Sequence, residues 1–487
     1  MALVISLLLP APLFSYNLEK SVHAFTLNNG LRLLVVERHL SPTLSIYIRC
    51  RAGAVDEASG KTGTAHLLEH MMFKGTKTIG SRDYRREEKI LRDINKTGTA
   101  LDRERRKGKA DDQAVIDRLM LRLEKLRKLH QPLMVSNEID RLYTENGAVG
   151  LNASTSHDLT TYKVSIPSNR LELWARIESD RMTNPVFREF YTERDVVNEE
   201  RRQRSESDPE GKLFEAYLAA AFIAHPYRRP VIGWPSDIRF LDMAYLEKFF
   251  RETYAPNNVA IAIVGDIRFD TALEIVKKYF GRVPSRRLIS APVTLEPPQS
   301  GERRIEVLFD AQPQIIIGYH KPPPPTHEDY IFDVLESILS SGRTAKLFKT
   351  IVEEKRLAET IQVVNGLPGA RYQNQFAIFA KPRYPHTCGE LEQAIDFEIE
   401  KIKQAPFPLS DLTKAKNQIR ADFIRRLDSN KGLAEMLSYF EALLGDYHYL
   451  KGYLDTIDRI TPDDLLNAAR TYLSRENRTV ATLARKH

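Results

Sequence analysis

One order of predicted elements occurs twice along this chain of 487 residues. In the first half, a strand-like run at 44–51 is followed by a loop, a helical stretch at 64–73 and a glycine. In the second half, a strand at 315–320, a Pro-rich loop, a helix around 333–339 and a glycine follow in the same order. Glycine after a helix is a typical C-terminal stop. The repetition indicates an internal duplication, and therefore two domains of similar architecture.

A basic stretch with several prolines at 284–304 differs in composition from the sequence on both sides, which is typical of a linker. It predicts one domain at 21–283 and another at 305–487. Residues 1–20 begin with an apolar run that is too short to span a bilayer and resembles the hydrophobic part of a secretory signal. No Lys or Arg precedes that run and no clear cleavage site follows it. We therefore expect the protein to be periplasmic or secreted, and the alternative is a cytoplasmic location.

Charge is concentrated in one predicted helical insertion at about 81–143, in which Gly98 and Gly108 are expected to be breaks. The net charge is +7, and residues 81–130 hold 16 Lys/Arg and 10 Asp/Glu, which is +6 of that total. A solvated helical face explains this charge better than a basic surface-binding module, and no nucleic-acid motif accompanies it. The chain also lacks any apolar run near twenty residues. We therefore expect neither a nucleic-acid partner nor a membrane span.

The first of the two predicted helices carries the residues of most chemical interest. His66 and His70 are four positions apart, so on a helix both imidazoles project from one face and can reach one metal ion. Glu69 lies beside them and could accept a proton from a metal-bound water. The alternative to a metal site is that His66 and His70 are ordinary core or surface histidines. In the second copy Asp333 and Ser337 replace the histidines, so only the first half is equipped for this chemistry.

A catalytic zinc site needs a third protein ligand and keeps its fourth position for water. On a helix, Glu193, Val196, Val197 and Glu200 fall at i, i+3, i+4 and i+7, so two carboxylates would share an apolar face. Buried carboxylates require partners, which favours Glu200 as the third ligand and Glu193 as a supporting carboxylate. From the residues alone Glu199, about 100° around the helix, stays open as the alternative ligand.

With these residues in view, the chain resembles the M16 family of inverted-motif zinc metallopeptidases, in its short two-domain bacterial form. The resemblance runs from about residue 23 onward and rests on Gly63 and on the segments HLLEH at 66–70, MFKGT at 72–76, NAST at 152–155, ERDVVNEE at 193–200, HPY at 225–227 and YAPNN at 254–258. It implies an α+β fold of two homologous domains, each a mostly antiparallel sheet packed with helices, with the helical insertion in the first.

The resemblance also implies roles for individual residues. His66, His70 and Glu200 would be zinc ligands, Glu69 the general base and Glu193 a supporting catalytic carboxylate. Asn152 and Ala153 match the edge strand on which such peptidases bind an extended substrate, although Asn152 could equally be a turn residue. The implied cofactor is Zn2+, and the implied activity is endoproteolysis of peptides or unfolded segments.

The chain departs from the family pattern where an Arg and a Tyr from the second half usually hold the substrate carbonyl. Glu353 stands at the Arg position, and Glu359 or Thr360 near the Tyr position. An acid there cannot stabilise developing negative charge. We therefore expect a related M16-like partner subunit that supplies the pair, and a homodimer would be a weak enzyme. The alternative function is a non-catalytic structural subunit of an M16-like complex.

Overall fold

The computed structural model of the protein describes residues 21–286, 288 and 293–485. The predicted signal segment at 1–20 and part of the predicted linker at 284–304 lie outside the described residues. Within the described ranges, no helix is both long enough and apolar enough to cross a membrane.

The described part of the first half forms a six-stranded sheet with the order β1-β2-β6-β3-β5-β4. Its strands are β1 (Val22–Thr26), β2 (Arg32–Glu37), β3 (Thr43–Cys50), β4 (Val149–Thr155), β5 (Thr160–Pro167) and β6 (Val259–Gly265). Strand β2 pairs with β6 in parallel, and the other neighbouring pairs are antiparallel. Strand β4 is therefore an edge strand of this sheet.

The second half forms a five-stranded sheet with the order β7-β11-β8-β10-β9. Its strands are β7 (Arg303–Leu308), β8 (Gln314–Lys321), β9 (Ala358–Leu367), β10 (Asn374–Pro382) and β11 (Arg478–Ala484). Strand β7 pairs with β11 in parallel and the other pairs are antiparallel. The strands β7-β11-β8-β10-β9 correspond one by one to β2-β6-β3-β5-β4 of the first sheet. Corresponding neighbours pair in the same way, parallel or antiparallel. The predicted fold class, two similar α+β halves with mostly antiparallel sheets, is confirmed.

The described helices of the first half follow in chain order. They are α1 (Thr64–Met71), α2 (Tyr84–Arg105), α3 (Gln113–His130), α4 (Glu138–Glu145), α5 (Leu171–Thr183), α6 (Phe190–Arg201), α7 (Pro209–Ala221), α8 (Pro235–Arg239), α9 (Met243–Thr253) and α10 (Phe269–Phe280). Helices α2 and α3 lie within 81–143, the range that the sequence predicts to be an insertion. Each begins at an Asp, Asp83 or Asp112, whose carboxylate accepts a backbone N–H of the first turn.

Helices of the second half follow the same plan. They are α11 (His327–Ser340), α12 (Cys388–Ile402), α13 (Leu409–Asp428), α14 (Asn430–Leu444), α15 (Tyr449–Arg459) and α16 (Pro462–Tyr472). Helix α11 follows β8 as α1 follows β3. It begins six residues before the predicted helix at 333–339, because the polar first turn hides its start from an apolar pattern.

The two halves exchange one helix each. Helix α7 of the first half packs on β7 and β11 of the second sheet, where Leu213 and Tyr217 are buried against Ile316 and Leu483. Helix α14 of the second half packs on β3 and β6 of the first sheet. Each sheet thus covers one face with its own helices and the other with a helix of the opposite half.

One sequence prediction about the helices is wrong. Gly98 was expected to be a break but lies inside α2, where the ring of Tyr191 packs directly against its backbone. Helix α6 ends at Arg201 and the chain continues as a π-helical segment, Arg202–Glu206. Such segments are frequent at functional sites.

Candidate metal centre

Helix α1 starts at a backbone position that only glycine takes without strain. Gly63 has φ +85°, and a Cβ there would lie 2.5 Å from the carbonyl oxygen of Ile232. The carboxylate of Glu57 accepts the backbone N–H groups of Gly63 at 3.0 Å and Ala65 at 2.7 Å. Burial raises the pKa of Glu57 to about 8. Glu57 therefore fixes the first turn of the helix that carries the histidines.

His66, His70 and Glu200 offer ligand atoms that all lie within 4.8 Å of one another. His66 Nε2 is 3.7 Å from Glu200 Oε1, and His70 Nε2 is 3.5 Å from Glu200 Oε2. The packing of α1 against α6 brings the carboxylate to the two imidazoles across 130 residues of sequence. The predicted ligand set is thus gathered at one place.

These separations fit a metal ion better than direct hydrogen bonds. Donors about 2.1 Å from a tetrahedral ion lie about 3.4 Å apart, close to the two imidazole–carboxylate distances. Two imidazoles and one carboxylate are also a donor set that zinc takes in catalytic sites. Burial lowers the pKa of His66 to about 3, so its ring is neutral and can ligate at neutral pH.

Glu193 holds His70 from the side away from Glu200. Its Oε1 accepts a hydrogen bond from His70 Nδ1 at 2.9 Å, which leaves Nε2 for a metal. Glu193 Oε2 also contacts Lys74 Nζ at 2.6 Å. Burial alone would raise the pKa of Glu193, but these two partners lower it to about 2. By contrast Nδ1 of His66 is buried with no hydrogen-bond partner among the described residues.

Glu69 has a different environment. Its Oε2 accepts a hydrogen bond from the Thr155 hydroxyl at 2.6 Å, and burial raises the pKa of its carboxyl above the usual value. Thr155 is the last residue of the edge strand β4, so this contact joins α1 to the end of that strand. The second oxygen of Glu69 is left for another proton donor.

Helix α6 corrects part of the predicted pattern. Glu193 and Val197 are buried, but Val196 is 45% exposed, so the apolar face does not include it. Glu199 is exposed and contacts Arg202 at 2.8 Å, away from the histidines. Of the two candidate third ligands, only Glu200 lies at the imidazoles.

Asn152 and Ala153 lie on the edge strand β4, opposite Lys163 and Tyr162 of β5. The backbone N–H of Ala153 donates to the Asn152 side chain at 2.9 Å rather than to the neighbouring strand. Asn152 is exposed. A peptide that pairs with this edge would have to displace the Asn152 side chain from that N–H.

Sequence reasoning missed three residues around the centre: Thr155, Lys74 and Arg204. Arg204 lies in the π-helical segment, and its guanidinium is 2.8 Å from Glu200 Oε1. Thr155 and Lys74 belong to the family-like segments, but no spacing pattern connects them to Glu69 or Glu193. Their contacts depend on packing between distant elements.

Among the residues that the structure describes, the second half has no cluster of metal-type donors like that of His66, His70 and Glu200. Asp333 and Ser337, which the sequence comparison sets against the two histidines, lie on α11. Asp333 accepts hydrogen bonds from Tyr453 and Asn365, both at 2.8 Å, and Glu336 accepts the backbone N–H of Asn365 at 3.0 Å. Burial raises the pKa of Asp333 to about 6 and that of Glu336 to about 7. These acids serve contacts within the second half.

The positions expected to carry the Arg and Tyr pair are exposed. Glu353 lies in a second π-helical segment, Phe348–Glu354, and its carboxylate is 3.5 Å from the guanidinium of Arg343. Glu359 and Thr360 lie on β9 with exposed side chains. Ionised glutamates cannot donate a hydrogen bond to an oxyanion.

Two family models match the chain. The model described as insulinase, peptidase family M16, matches residues 32–102 and 134–234. The model described as peptidase M16 inactive domain matches residues 241–419. The first model therefore covers α2 as far as Asp102, and the unmatched residues 103–133 hold the end of α2 and all of α3.

Known proteins of similar sequence and structure bear zinc protease names. The chain is 26% identical to the zinc protease PqqE of Helicobacter pylori over an alignment of 469 residues. The alignment covers 94% of this chain and 91% of PqqE. A solved structure of a protease from Helicobacter pylori matches with a TM-score of 0.80 and 25% identity, covering 95% of this chain and 99% of the other. The periplasmic protease PqqL from Escherichia coli has the same fold, with a TM-score of 0.71 at 17% identity, over 96% of this chain and 48% of PqqL.

Proposed function

The chain belongs to the M16 family of peptidases, and from that premise we propose that it is a zinc-dependent endopeptidase of peptides or unfolded segments, with Glu69 as its general base. The observation that carries the proposal is the convergence of His66, His70 and Glu200 within 4.8 Å. Glu69, one residue before His70, completes the set of groups that metal-assisted hydrolysis needs.

Zinc held by these three residues would supply Lewis acidity, which activates water and polarises the peptide carbonyl. Glu69 would accept the proton of the attacking water and pass it to the leaving amine. Its raised pKa suits both steps, since a carboxylate that holds a proton more tightly is a stronger base. Thr155 would hold the carboxylate in place during the transfer.

The substrate would bind in an extended form along the free edge of β4. Backbone groups of an edge strand pair readily with a peptide and read little of its sequence. Strand β4 ends at Thr155, which contacts Glu69, so a peptide paired at Asn152 and Ala153 would run toward the base. This arrangement favours unfolded segments, because a folded protein does not offer a free strand.

We further propose that a related M16-like subunit completes the site by supplying the Arg that Glu353 replaces and the Tyr that Glu359 or Thr360 replaces. The comparison with PqqL supports a pair of M16-like subunits, because this chain matches only 48% of the PqqL chain. The periplasmic neighbour also supports a periplasmic or secreted location for this protein.

The test compares the wild type with Glu69→Gln and with the exposed neighbour Glu199→Gln as a matched control. Metal content is measured by mass spectrometry, and cleavage with quenched peptides, for the chain alone and with whatever subunit co-elutes from the native host. We expect one zinc ion per chain in all three proteins and loss of cleavage in Glu69→Gln only.

Three outcomes contradict parts of the proposal. Full activity of Glu69→Gln removes the assigned base. A wild type without zinc favours the structural-subunit alternative. High activity of the isolated chain argues against the partner subunit and leaves the zinc assignment intact.

A further inference from the structure

Helix α6 lies between the metal-site helix and the insertion. Glu193, Val197 and Glu200 face α1, whereas Arg188, Tyr191 and Arg194, spaced three residues apart, contact α2. Helix α2 therefore contacts α6 on a different face from the one that carries two of the site's carboxylates.

The strongest of these contacts is a buried ion pair. Arg194 Nη1 is 2.6 Å from Asp102 Oδ2, and Nη2 is 2.9 Å from Oδ1, which is the bidentate geometry that fixes orientation as well as distance. Nη1 also donates to the carbonyl oxygen of Leu241 at 2.9 Å. Both charged side chains are buried, Asp102 to 7% exposure and Arg194 to 5%. Arg194 is the residue directly after Glu193.

Tyr191 makes the second contact. A Cβ at Gly98 would lie 2.1 Å from Tyr191 Cζ, so the ring packs on the bare backbone of α2. The Tyr191 hydroxyl lies 3.0 Å from Asn95 Oδ1. The two helices approach closely here because Gly98 has no side chain.

The third contact anchors the start of the insertion. Arg188, just before α6, binds the carboxylate of Glu87 with Nε at 2.6 Å and Nη2 at 3.0 Å. His130 Nε2, at the end of α3, is 2.7 Å from the same carboxylate. The guanidinium of Arg188 also donates to the carbonyl oxygen of Thr76 at 2.7 Å. One buried carboxylate thus ties both ends of the insertion to the segment that leads into α6.

We propose that helix α2 is a brace for the metal centre, and that Asp102 is a positioning residue that acts through Arg194 on Glu193 and Glu200. The inference rests on the proposed zinc site. A rotation of α6 by about 10° would move a carboxylate about 6 Å from its axis by about 1 Å. Metal–ligand distances tolerate only about 0.2 Å. Three contacts at different points along α2 prevent that rotation.

The test is Asp102→Asn, with Asp93→Asn, an exposed acid on the same helix, as the matched control. Zinc affinity is measured by competition with a chelator, the ligand geometry by the visible absorption of the cobalt-substituted protein, and fold stability by thermal unfolding. We expect Asp102→Asn to bind zinc about 10-fold to 100-fold more weakly and to change the cobalt spectrum, as loss of supporting contacts does in metal sites. Asp93→Asn should match the wild type.

Should Asp102→Asn fail to fold, Gly98→Ala probes the same brace, because the added methyl group meets the Tyr191 ring, separates α2 from α6 and should weaken zinc binding in the same way. The brace is overturned if the folded variants lose thermal stability but keep zinc affinity within about twofold and an unchanged cobalt spectrum. Failure of the proposed function looks different, because then the wild type itself does not bind zinc.

Discussion

Glu69 and Glu193 are both carboxylates beside His70, but their surroundings move their pKa values in opposite directions. Burial raises the pKa of Glu69, whereas the hydrogen bonds from His70 and Lys74 overcome burial and lower that of Glu193 to about 2. Acids whose environments separate their pKa values in this way take different roles. Glu69 suits proton transfer, and Glu193 suits a permanent negative charge that orients His70.

At the residue scale, Thr155→Val should slow catalysis without removing the metal. The substitution keeps the shape of the side chain but deletes the hydroxyl that donates to Glu69 Oε2. Without this contact the carboxylate can leave the position from which it accepts the proton, so we expect kcat to fall about tenfold or more, even though the pKa of Glu69 rises further. KM and zinc content should stay near the wild-type values.

The matched control is Ser154→Ala, an exposed hydroxyl one position earlier on β4. Steady-state kinetics and metal analysis of both variants separate the two effects. A Thr155→Val protein with wild-type kcat would show that Glu69 needs no hydroxyl to hold it.

At the element scale, the insertion has a small core of its own beneath a charged surface. Leu101, Ile116 and Leu123 are buried between α2 and α3, while Met120 and Leu121 are exposed. Its attachment to the rest of the protein is mainly polar and depends on ionised carboxylates. This makes the stability of the insertion sensitive to acid.

The contribution of Glu87 to the free energy of unfolding should depend on pH. Burial would raise its pKa, but hydrogen bonds from His130 and Arg188 lower it to about 2 in the folded protein. The usual value is 4.5, so Glu87 stabilises the fold above that pH and the contribution disappears as the pH falls toward 2. The full contribution is about 3 kcal/mol.

We expect the difference in unfolding free energy between the wild type and Glu87→Gln to be largest at neutral pH and to shrink as the pH falls from 5 to about 3. Urea unfolding at several pH values measures it. Glu88→Gln, the neighbouring and more exposed acid, should follow the wild type throughout. A constant difference across this range would contradict the assigned role of Glu87.

At the scale of the whole molecule, the exchanged helices make the two halves depend on each other. Leu433 and Leu437 of α14 are buried against Leu34 and Val264 of the first sheet. Without α14 that sheet would expose an apolar face, as the second sheet would without α7. The halves should therefore unfold together.

Leu437→Ala should destabilise both halves at once. The side chain is fully buried, and truncation of such a leucine costs about 2–5 kcal/mol. Both tryptophans, Trp174 and Trp234, lie in the first half, so their fluorescence reports on that half although the substitution is in the second. We expect equal shifts of the unfolding midpoint by fluorescence and by far-UV circular dichroism.

Ile424→Ala, at a half-exposed position of the neighbouring α13, serves as the control and should shift neither midpoint appreciably. A wild-type fluorescence midpoint in Leu437→Ala, with two separate transitions by circular dichroism, would show that the halves fold independently.

The sequence by itself determined the features that depend on local backbone geometry. The spacing of His66 and His70 places two imidazoles on one face of any helix, and the repeated order of strand, loop and helix specifies two similar sheets. The same logic favoured Glu200 of α6 as the third ligand. It left Glu199 open as the alternative, because the orientation of a helix about its axis depends on what packs against it.

Only the tertiary structure decided which distant residues meet. In the structure Glu200, and not Glu199, lies beside the imidazoles, and the Thr155 hydroxyl donates to Glu69. Asp102 forms an ion pair with Arg194. Helix α7 packs on the second sheet and α14 on the first. The partners in these contacts lie far apart in sequence, and no periodicity relates them. Their positions follow from the burial of apolar faces by the whole chain, which acts on all elements together.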